Sequence, residues 1–266
     1  MNSLPFAKKS LGQHWLEDEA SLLAMIKPAD ISASDFILEI GPGTGTLTKM
    51  LINTNAKILA LEFDSQRIVE LKAKFKSYSN IEIISGDIRQ FDFKSMPASF
   101  KIVANIPYYL TANLLRTLTE IAHKPNIAVL LVQKEVAMRI CSKPGDLSKL
   151  SVFVQNYYDA SVGQVVTADK FIPPPKVDSQ VVILKKRELP LIKLNRNIEN
   201  IIEIGFEHKR KKLSSNLANG LKIPKTEIEQ ILLENDIRKD ARAQDLNIKY
   251  WQKIAKKVLD KLTINE

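Results

Sequence analysis

The sequence predicts an α/β protein in which a mostly parallel sheet is followed by a small all-α domain. Short β-rich apolar runs alternate with helical patterns as far as about residue 140. Such alternation is typical of βα units, in which helices cover both faces of a parallel sheet. Beyond residue 192 the periodicity is helical only, which predicts a separate helical domain.

Five apolar runs have the length and composition of buried strands. They are FILEI (36–40), KILALE (57–62), IEIISGD (81–87), FKIVANI (100–106) and IAVLLVQ (127–133). The segments between them include LTKMLI, DSQRIVELKAKF and YLTANLLRTLTEIA, which have apolar residues at three-to-four spacing. This spacing predicts amphipathic helices between successive strands.

The pattern changes after residue 150. The runs SVFVQNYY (151–158) and QVVILKK (180–186) are interpreted as strands without a long helix between them, which predicts an antiparallel pair at the sheet edge. The segment RELPLI (187–192) indicates a domain boundary, because helical patterns follow it. We therefore expect a larger domain over residues 1–188 and a helical domain over residues 189–266.

The charge of the chain is positive and unevenly distributed. The formal net charge is +9 and the pI is about 9.4. Residues 186–266 hold 18 Lys and Arg against 12 Asp and Glu, a net charge of +6, whereas residues 1–185 hold 21 against 18, a net charge of +3. The excess is consistent with a polyanionic partner, and charge alone favours a solvated surface equally.

The cysteine and histidine content limits the chemistry. The single cysteine, Cys141, allows no intrachain disulfide and is typical of a reducing compartment. Three scattered histidines and one cysteine give no metal-ligand spacing, so we expect no metal. The sequence has neither a signal-peptide pattern nor a run of ~18 apolar residues. We therefore expect a cytoplasmic protein without a membrane span.

The first predicted strand runs into a glycine-rich turn, LEIGPGTGTLT (38–48), with a helix after it. Gly41, Gly43 and Gly45 would let the backbone approach a nucleotide-like cofactor at the strand end. The dinucleotide fingerprint requires another glycine where this sequence has Thr46. The loop therefore favours S-adenosylmethionine, which has no pyrophosphate, over NAD.

Acidic and amide residues end the next three strands. Glu62 lies 21 residues after Gly41, a spacing that fits ribose recognition in NAD and S-adenosylmethionine equally. Asp87 at the third strand end is suited to accept an adenine amine, and Asn105 ends the fourth strand. Since a parallel sheet collects ligand-binding groups at its carboxyl edge, four such ends in order predict one site.

The sequence NIPY (105–108) indicates methylation of an amino group. An adenine N6 is a weak nucleophile, because its lone pair is delocalised into the ring. The side-chain oxygen of Asn105 and the carbonyl of Ile106, held by Pro107, could accept the two N6 hydrogens and localise that lone pair. Tyr108 could stack on the base, and Tyr109 is expected to pack in the core.

Six motifs in order carry a family resemblance. They are KSLGQHWL (9–16), EIGPGTGTLT (39–48), GDIRQFDF (86–93), NIPYYLT (105–111), QKEVAMRI (133–140) and FIPPPKVDS (171–179). Together they closely resemble the bacterial small-subunit (16S) rRNA adenine-N6,N6-dimethyltransferases, over nearly the whole chain. The resemblance implies a Rossmann-like class I S-adenosylmethionine-dependent methyltransferase fold with a seven-stranded sheet.

The same resemblance implies the site residues. Cofactor contacts are expected from His14, Leu16, Gly41, Glu62, Asp87 and Asn105. The target adenine is expected between Tyr108 and Phe171, with Asn105 and the Ile106 carbonyl at N6. In the family, two adjacent adenosines near the 3′ end of 16S rRNA each receive two methyl groups.

RNA contacts are expected from two basic clusters. Lys8 and Lys9 precede the first motif, and a second cluster opens a predicted helix in the smaller domain; it comprises Lys209, Arg210, Lys211 and Lys212. Such clusters bind phosphates without reading sequence. The expected partner is 16S rRNA within the immature small subunit, and the protein is expected to be a monomer.

Three other functions remain open from the sequence. The same chemistry could act on large-subunit (23S) rRNA. The chain could also be a ribosome-assembly factor that acts mainly by binding. An NAD-dependent reductase is the most distant alternative, because it shares only the strand–loop–helix unit.

Overall fold

The computed structural model describes residues 12–264, which form two compact units. The first contains residues 12–138 and Tyr158–Lys186, and the second contains Arg139–Tyr157 and residues 187–264. The expected basic residues Lys8 and Lys9 lie outside the described part of the chain.

The described strands and helices follow the chain in mixed order. The strands are β1 (Trp15–Leu16), β2 (Phe36–Ile40), β3 (Lys57–Glu62), β4 (Ile81–Ser85), β5 (Lys101–Asn105), β6 (Ile127–Gln133), β7 (Tyr158–Val166), β8 (Phe171–Ile172) and β9 (Ser179–Lys186). The helices are α1 (Glu19–Ile26), α2 (Thr46–Ile52), α3 (Ser65–Lys74), α4 (Thr111–Glu120), α5 (Lys134–Ile140), α6 (Lys149–Tyr157), α7 (Arg196–Gly205), α8 (Leu213–Leu221), α9 (Lys225–Leu233) and α10 (Ile248–Ile264).

The first unit is built on a seven-stranded sheet of order β4-β3-β2-β5-β6-β9-β7. The pairs among β2 to β6 are parallel, and β9 is antiparallel to both of its neighbours. The chain reaches one edge at β4 and then returns to β5 on the other side of β2, so the strand order reverses there. Ligands of open α/β sheets bind outside the carboxyl ends of strands at such a reversal. The predicted α/β fold with a mostly parallel sheet is confirmed.

A second, two-stranded sheet lies in the same unit. β1 pairs antiparallel with β8, with Trp15 opposite Ile172 and Leu16 opposite Phe171. Leu16 and Phe171 are both buried in the apolar core of this unit. The pair therefore ties the start of the described chain to a segment about 155 residues later.

One predicted strand is wrong. The run 151–158 is mostly helix α6, and the edge strand β7 begins only at Tyr158. An antiparallel pair does lie at the sheet edge, but β9 pairs there with β7 and not with residues 151–157. Val152 packs into the core of the second unit together with Leu147 and Trp251, and this packing overrides the strand preference of β-branched residues.

The second unit is all-helical around Trp251, which is fully buried. Its core includes the inward faces of α7 to α10 and also Leu147 and Val152, which precede β7 in the chain. Arg139–Tyr157 consequently groups with this unit, although it lies within the domain expected over residues 1–188. No helix among the described residues is both long and apolar enough to cross a membrane.

Candidate cofactor and adenine site

The carboxyl ends of β2, β3, β4 and β5 meet at one cavity in the first unit. Every residue predicted for the cofactor and catalytic sets lines it; they are His14, Leu16, Gly41, Glu62, Asp87, Asn105, Ile106, Pro107, Tyr108 and Phe171. The fold therefore brings together residues spread over more than 150 positions of the chain. Their individual roles stay predictions.

The glycine-rich loop after β2 is tightly packed. Gly41, Gly43 and Gly45 have φ values of 67°, 58° and 77°, a region that residues with a Cβ rarely adopt. A Cβ on Gly43 would lie 2.6 Å from Cζ3 of Trp15. The indole of Trp15 therefore holds the loop against the β1–β8 pair.

We expect Gly43→Ala to weaken cofactor binding by at least about tenfold. The change adds left-handed backbone strain of about 1–2 kcal/mol and a clash with Trp15, which together displace the loop. Titration calorimetry with S-adenosylhomocysteine measures the loss. Gly145→Ala is the control, because Gly145 also has positive φ but no atom within 4 Å of an added Cβ. Wild-type affinity in Gly43→Ala would contradict the proposed fit of the loop.

The carboxylate of Glu62 is fixed by backbone amides. Its Oε2 accepts a hydrogen bond from the Gly43 N–H at 3.0 Å, and its Oε1 accepts from the N–H groups of Phe63 and Asp64, each at 2.9 Å. Glu62 is buried, so these bonds hold it in one orientation. The two N–H groups occupy both lone pairs of Oε1, and Oε2 keeps one lone pair, which can accept from a ribose hydroxyl.

Asp87 is held by Arg89, for which the sequence predicts no role. The Arg89 Nε donates to both carboxylate oxygens of Asp87, at 3.0 and 2.9 Å, and Nη2 donates to Oδ2 at 2.5 Å. These hydrogen bonds lower the pKa of Asp87, and Asp87 in turn raises the pKa of Arg89. Asp87 is therefore a fixed, ionised acceptor at the rim of the cavity.

Asn105 lines the cavity at the end of β5. Its side chain makes no hydrogen bond to another described residue. Pro107 follows with φ −54° and ψ 135°, and its carbonyl accepts from the Leu110 N–H at 3.0 Å, closing a short turn before α4. The turn fixes the backbone on both sides of the buried Ile106.

Tyr108 is anchored at both its hydroxyl and its ring. Its hydroxyl lies 2.7 Å from Oγ of Ser179, the first residue of β9. Burial raises the pKa of Tyr108, against the effect of the Ser179 hydrogen bond, so the phenol stays neutral. His14 stacks on the ring, with centroids 6.0 Å apart and an interplanar angle of 23°, and its Nδ1 donates to the Pro173 carbonyl at 2.7 Å.

The positions of Phe171 and His14 leave no open gap for the target adenine between Tyr108 and Phe171. Phe171 is only 2% exposed and belongs to the apolar core, while His14 covers part of one face of Tyr108. A base between Tyr108 and Phe171 therefore requires a side-chain movement at His14 or Phe171. The stacking role of Phe171 stays a prediction.

Further residues line the cavity that the sequence analysis did not assign to it. They are Glu39, Phe63, Ile88, Arg89 and Tyr109, among others. Phe63 is 60% exposed and directly follows Glu62, and Ile88 directly follows Asp87. The sequence feature that could have indicated Phe63 and Ile88 is the position of each, an apolar residue immediately after an acidic strand end. Tyr109, expected in the core, is instead 58% exposed.

The residues of the cavity fit S-adenosylmethionine. Phe63 and Ile88 offer apolar contacts for a flat base, and Asp87 is positioned to accept from its amine. Glu62 offers an acceptor for a ribose hydroxyl, and the buried carboxyl of Glu39 has no partner among the described residues. A cationic tail would give that carboxyl a partner. The donor set therefore matches an adenosine that carries a positively charged group.

The basic cluster of the second unit lies on a turn and not in a helix. Lys209, Arg210, Lys211 and Lys212 are all exposed, and α8 begins after them at Leu213. The buried Asn216 explains the turn, because its Nδ2 donates to the carbonyls of Gly205 at 2.7 Å and His208 at 3.2 Å. The prediction that the cluster opens a helix is therefore wrong in its secondary structure.

Comparison with known proteins identifies relatives over almost the whole chain. The family model described as "Ribosomal RNA adenine dimethylase" matches residues 6–259. Proteins named "Ribosomal RNA small subunit methyltransferase A" include one from Dehalococcoides mccartyi, 35% identical over 92% of this chain and 86% of its own length. Another, from Nostoc sp., is 36% identical over 93% of this chain and 96% of its own length.

Solved structures show the same fold. A dimethyladenosine transferase from Plasmodium falciparum has a TM-score of 0.81 and 28% identity, covering 93% of this chain and 98% of its own. The 23S rRNA methyltransferase ErmE has a TM-score of 0.73 and 24% identity, covering 92% of this chain and 99% of its own. At that identity, ErmE is informative about the fold alone.

Proposed function

The chain belongs to the ribosomal RNA adenine dimethylase family, and we propose that it dimethylates N6 of two adjacent adenosines near the 3′ end of 16S rRNA in the small ribosomal subunit. It is an S-adenosylmethionine-dependent rRNA adenine-N6,N6-dimethyltransferase. The observation that carries the proposal is the meeting of four strand ends at one cavity, with Asn105 at the last of them, whose side chain has no hydrogen-bond partner among residues 12–264.

The chemistry assigned to this chain is activation and positioning of the adenine amine. The Asn105 side-chain oxygen and the Ile106 carbonyl oxygen each accept a hydrogen bond from the N6 amino group. These bonds concentrate the nitrogen lone pair toward the methyl carbon that it attacks. Tyr108 holds the base by stacking on it. Pro107 restricts the backbone and so fixes the positions of the two acceptor oxygens relative to each other. S-adenosylmethionine supplies the activated methyl group when bound. The neutral amine attacks without prior deprotonation and the methylated nitrogen then loses a proton to solvent, so no proton-abstracting triad is required.

Small-subunit rRNA is the favoured substrate over large-subunit rRNA. Relatives named for the small subunit are 35–37% identical and are matched over 92–94% of this chain. ErmE, named for 23S rRNA, is more distant in sequence. The fold admits both activities, so the substrate assignment rests on the sequence relationship.

Binding to the subunit is assigned to the basic residues. The exposed turn 209–212 offers four cations within four positions, and Lys8 and Lys9 are proposed to add to it. These groups bind phosphates by charge, while substrate choice depends on RNA shape and on a base that leaves its stack. We propose that the protein acts as a monomer in the cytoplasm, on immature small subunits.

Labelled methyl transfer tests the proposal directly. Small subunits from a strain that lacks these methyl groups, large subunits and naked rRNA are incubated in parallel with the protein and labelled S-adenosylmethionine. We expect label at two adjacent adenosines of 16S rRNA, in small subunits only. Label confined to 23S rRNA would overturn the substrate assignment, and absence of label from all three would overturn the activity.

A further inference from the structure

An exposed aromatic side chain at the mouth of the cavity has no role in the chemistry described above. Tyr109 lines the cavity, yet it is 58% exposed. A tyrosine that serves the core buries most of its ring, so packing does not account for this position. Tyr109 directly follows the residues assigned to the target adenine, and an RNA strand that delivers a base to Tyr108 therefore passes close to it.

The short turn Tyr108–Leu110 directs the two neighbouring tyrosine rings apart. It is a 3-10 turn, in which successive side chains diverge by about 120° because each turn contains three residues. The Tyr108 hydroxyl lies 2.7 Å from Oγ of Ser179, whereas Tyr109 stays on the exposed side of the turn. Two aromatic rings thus extend from Cα atoms about 3.8 Å apart, one along the cavity wall and the other at its mouth.

The Tyr109 ring has close neighbours on part of its surface. A Cβ added to Gly12 would lie 3.4 Å from its Cδ1 and 3.6 Å from its Cε1, so the backbone at Gly12 limits the movement of the ring. Arg89 is also near, because Tyr109 contributes, after Asp87, to the raised pKa of Arg89. A restrained aromatic ring that is open to solvent is the kind of platform on which single-stranded bases stack.

We propose that Tyr109 stacks on the adenosine next to the one that is being methylated. The inference rests on the proposed function, in which two adjacent adenosines react. Extruding one base removes its stacking on the neighbour, which costs free energy. The Tyr109 ring gives the neighbour a replacement surface, while Tyr108 receives the extruded base. The two tyrosines together hold both adenosines of the pair.

This role suits a substrate in which both adenosines react in turn. Stacking depends on the flat face of a base and not on its hydrogen-bonding groups. Methylation of N6 leaves that face in place, so Tyr109 accepts the neighbour both before and after its own methylation. The same ring therefore serves the reaction at either adenosine.

Steady-state methyl transfer to small subunits that lack these methyl groups tests the role of the ring. We expect Tyr109→Ala to lower kcat/KM for the subunits about tenfold, and Tyr109→Phe, which keeps the ring, to stay near the wild type. Tyr78→Ala is the matched control, because Tyr78 is 45% exposed and does not line the cavity. The affinity for S-adenosylhomocysteine, measured by calorimetry, should be the same in all four proteins. A loss of this affinity in Tyr109→Ala would assign the ring to the cofactor and overturn the inference.

Subunits with an abasic residue beside the reacting adenosine test which base the ring contacts. They are reconstituted with 16S rRNA in which each adenosine of the pair is replaced in turn. We expect the wild type to lose about tenfold in kcat/KM at the remaining adenosine. Tyr109→Ala should be no less efficient on abasic subunits than on intact ones, because the same contact is missing in both cases. Losses that multiply would mean that the ring and the neighbouring base do not interact, and the inference would be wrong.

The outcomes separate this inference from the proposed function. If the wild type labels no small-subunit rRNA, the proposed function fails together with the inference. If the wild type labels both adenosines and Tyr109→Ala does so with equal efficiency, the inference alone is overturned. A wild type that loses no efficiency on abasic subunits would also overturn it, and this measurement decides the case even if the variant does not fold.

Discussion

Asn105→Ala is expected to lower the rate of methyl transfer by at least about 100-fold while binding to small subunits persists. The substitution removes one of two acceptors for the N6 hydrogens, so the lone pair stays in the ring and the barrier to attack rises. The side chain makes no hydrogen bond to another described residue, so its removal should leave the fold intact. Labelled methyl transfer measures the first quantity and cosedimentation with subunits the second.

Asn126→Ala is the matched control for this change. Its side-chain amide donates to the hydroxyl of Ser99 at 2.8 Å and does not line the cavity, so methyl transfer should stay near the wild-type rate. If Asn105→Ala lost subunit binding as well as transfer, the role given to Asn105 would be wrong. If transfer persisted, the acceptor mechanism would be wrong. The comparison also separates catalysis from a function in subunit assembly by binding alone.

The second large effect is expected at the basic turn. Replacing its four residues, Lys209, Arg210, Lys211 and Lys212, with glutamine should weaken subunit binding about tenfold or more at moderate salt. The slope of log affinity against log salt should fall by roughly three, because each phosphate contact contributes about 0.7–0.9 to it. All four side chains are exposed, so stability should change little. Affinity measured over a salt series gives both quantities.

A variant with the same net charge tests whether position matters. Four exposed lysines elsewhere in the second unit are replaced with glutamine; they are Lys239, Lys249, Lys253 and Lys256. We expect a smaller loss of affinity and a smaller change in slope. Equal losses from the two sets would mean that overall charge, and not the turn, determines binding.

The strand ends were predictable because buried parallel strands form continuous apolar runs. Each of the runs before Gly41, Glu62, Asp87 and Asn105 is followed by a residue type that a strand interior disfavours. The order of these ends along the chain is enough to predict one site, since parallel strands place their carboxyl ends at one edge.

The helix α6 was missed because its local signals conflict. Its alternating apolar residues predict a strand, whereas Ser148 and Ser151 exchange backbone-to-hydroxyl hydrogen bonds at its start, at 2.7 and 3.1 Å. A serine pair three residues apart is related to the capping box and was the available signal. The burial of Val152 in the second unit is a long-range property that no local pattern contains.

The further residues of the cavity were missed for a different reason. Glu39 lies inside an apolar run, where it was interpreted as one more strand residue, and its lack of a partner is visible only in three dimensions. Arg89 acts through the carboxylate of Asp87, a pairing that depends on a turn conformation. Tyr109 lies in the short helical turn Tyr108–Leu110, where it lines the cavity and stays exposed, and this position depends on the fold.

The position of β9 in the sheet has a consequence for biosynthesis. Although it is the last strand of the sheet along the chain, it lies between β6 and β7. Until residue 186 has emerged from the ribosome, a nascent chain therefore has an unpaired and largely apolar edge at β6, a feature that favours aggregation. The same strand provides Ser179, which binds the Tyr108 hydroxyl. The Tyr108 side of the cavity is consequently among the last parts of the first unit to be completed during translation.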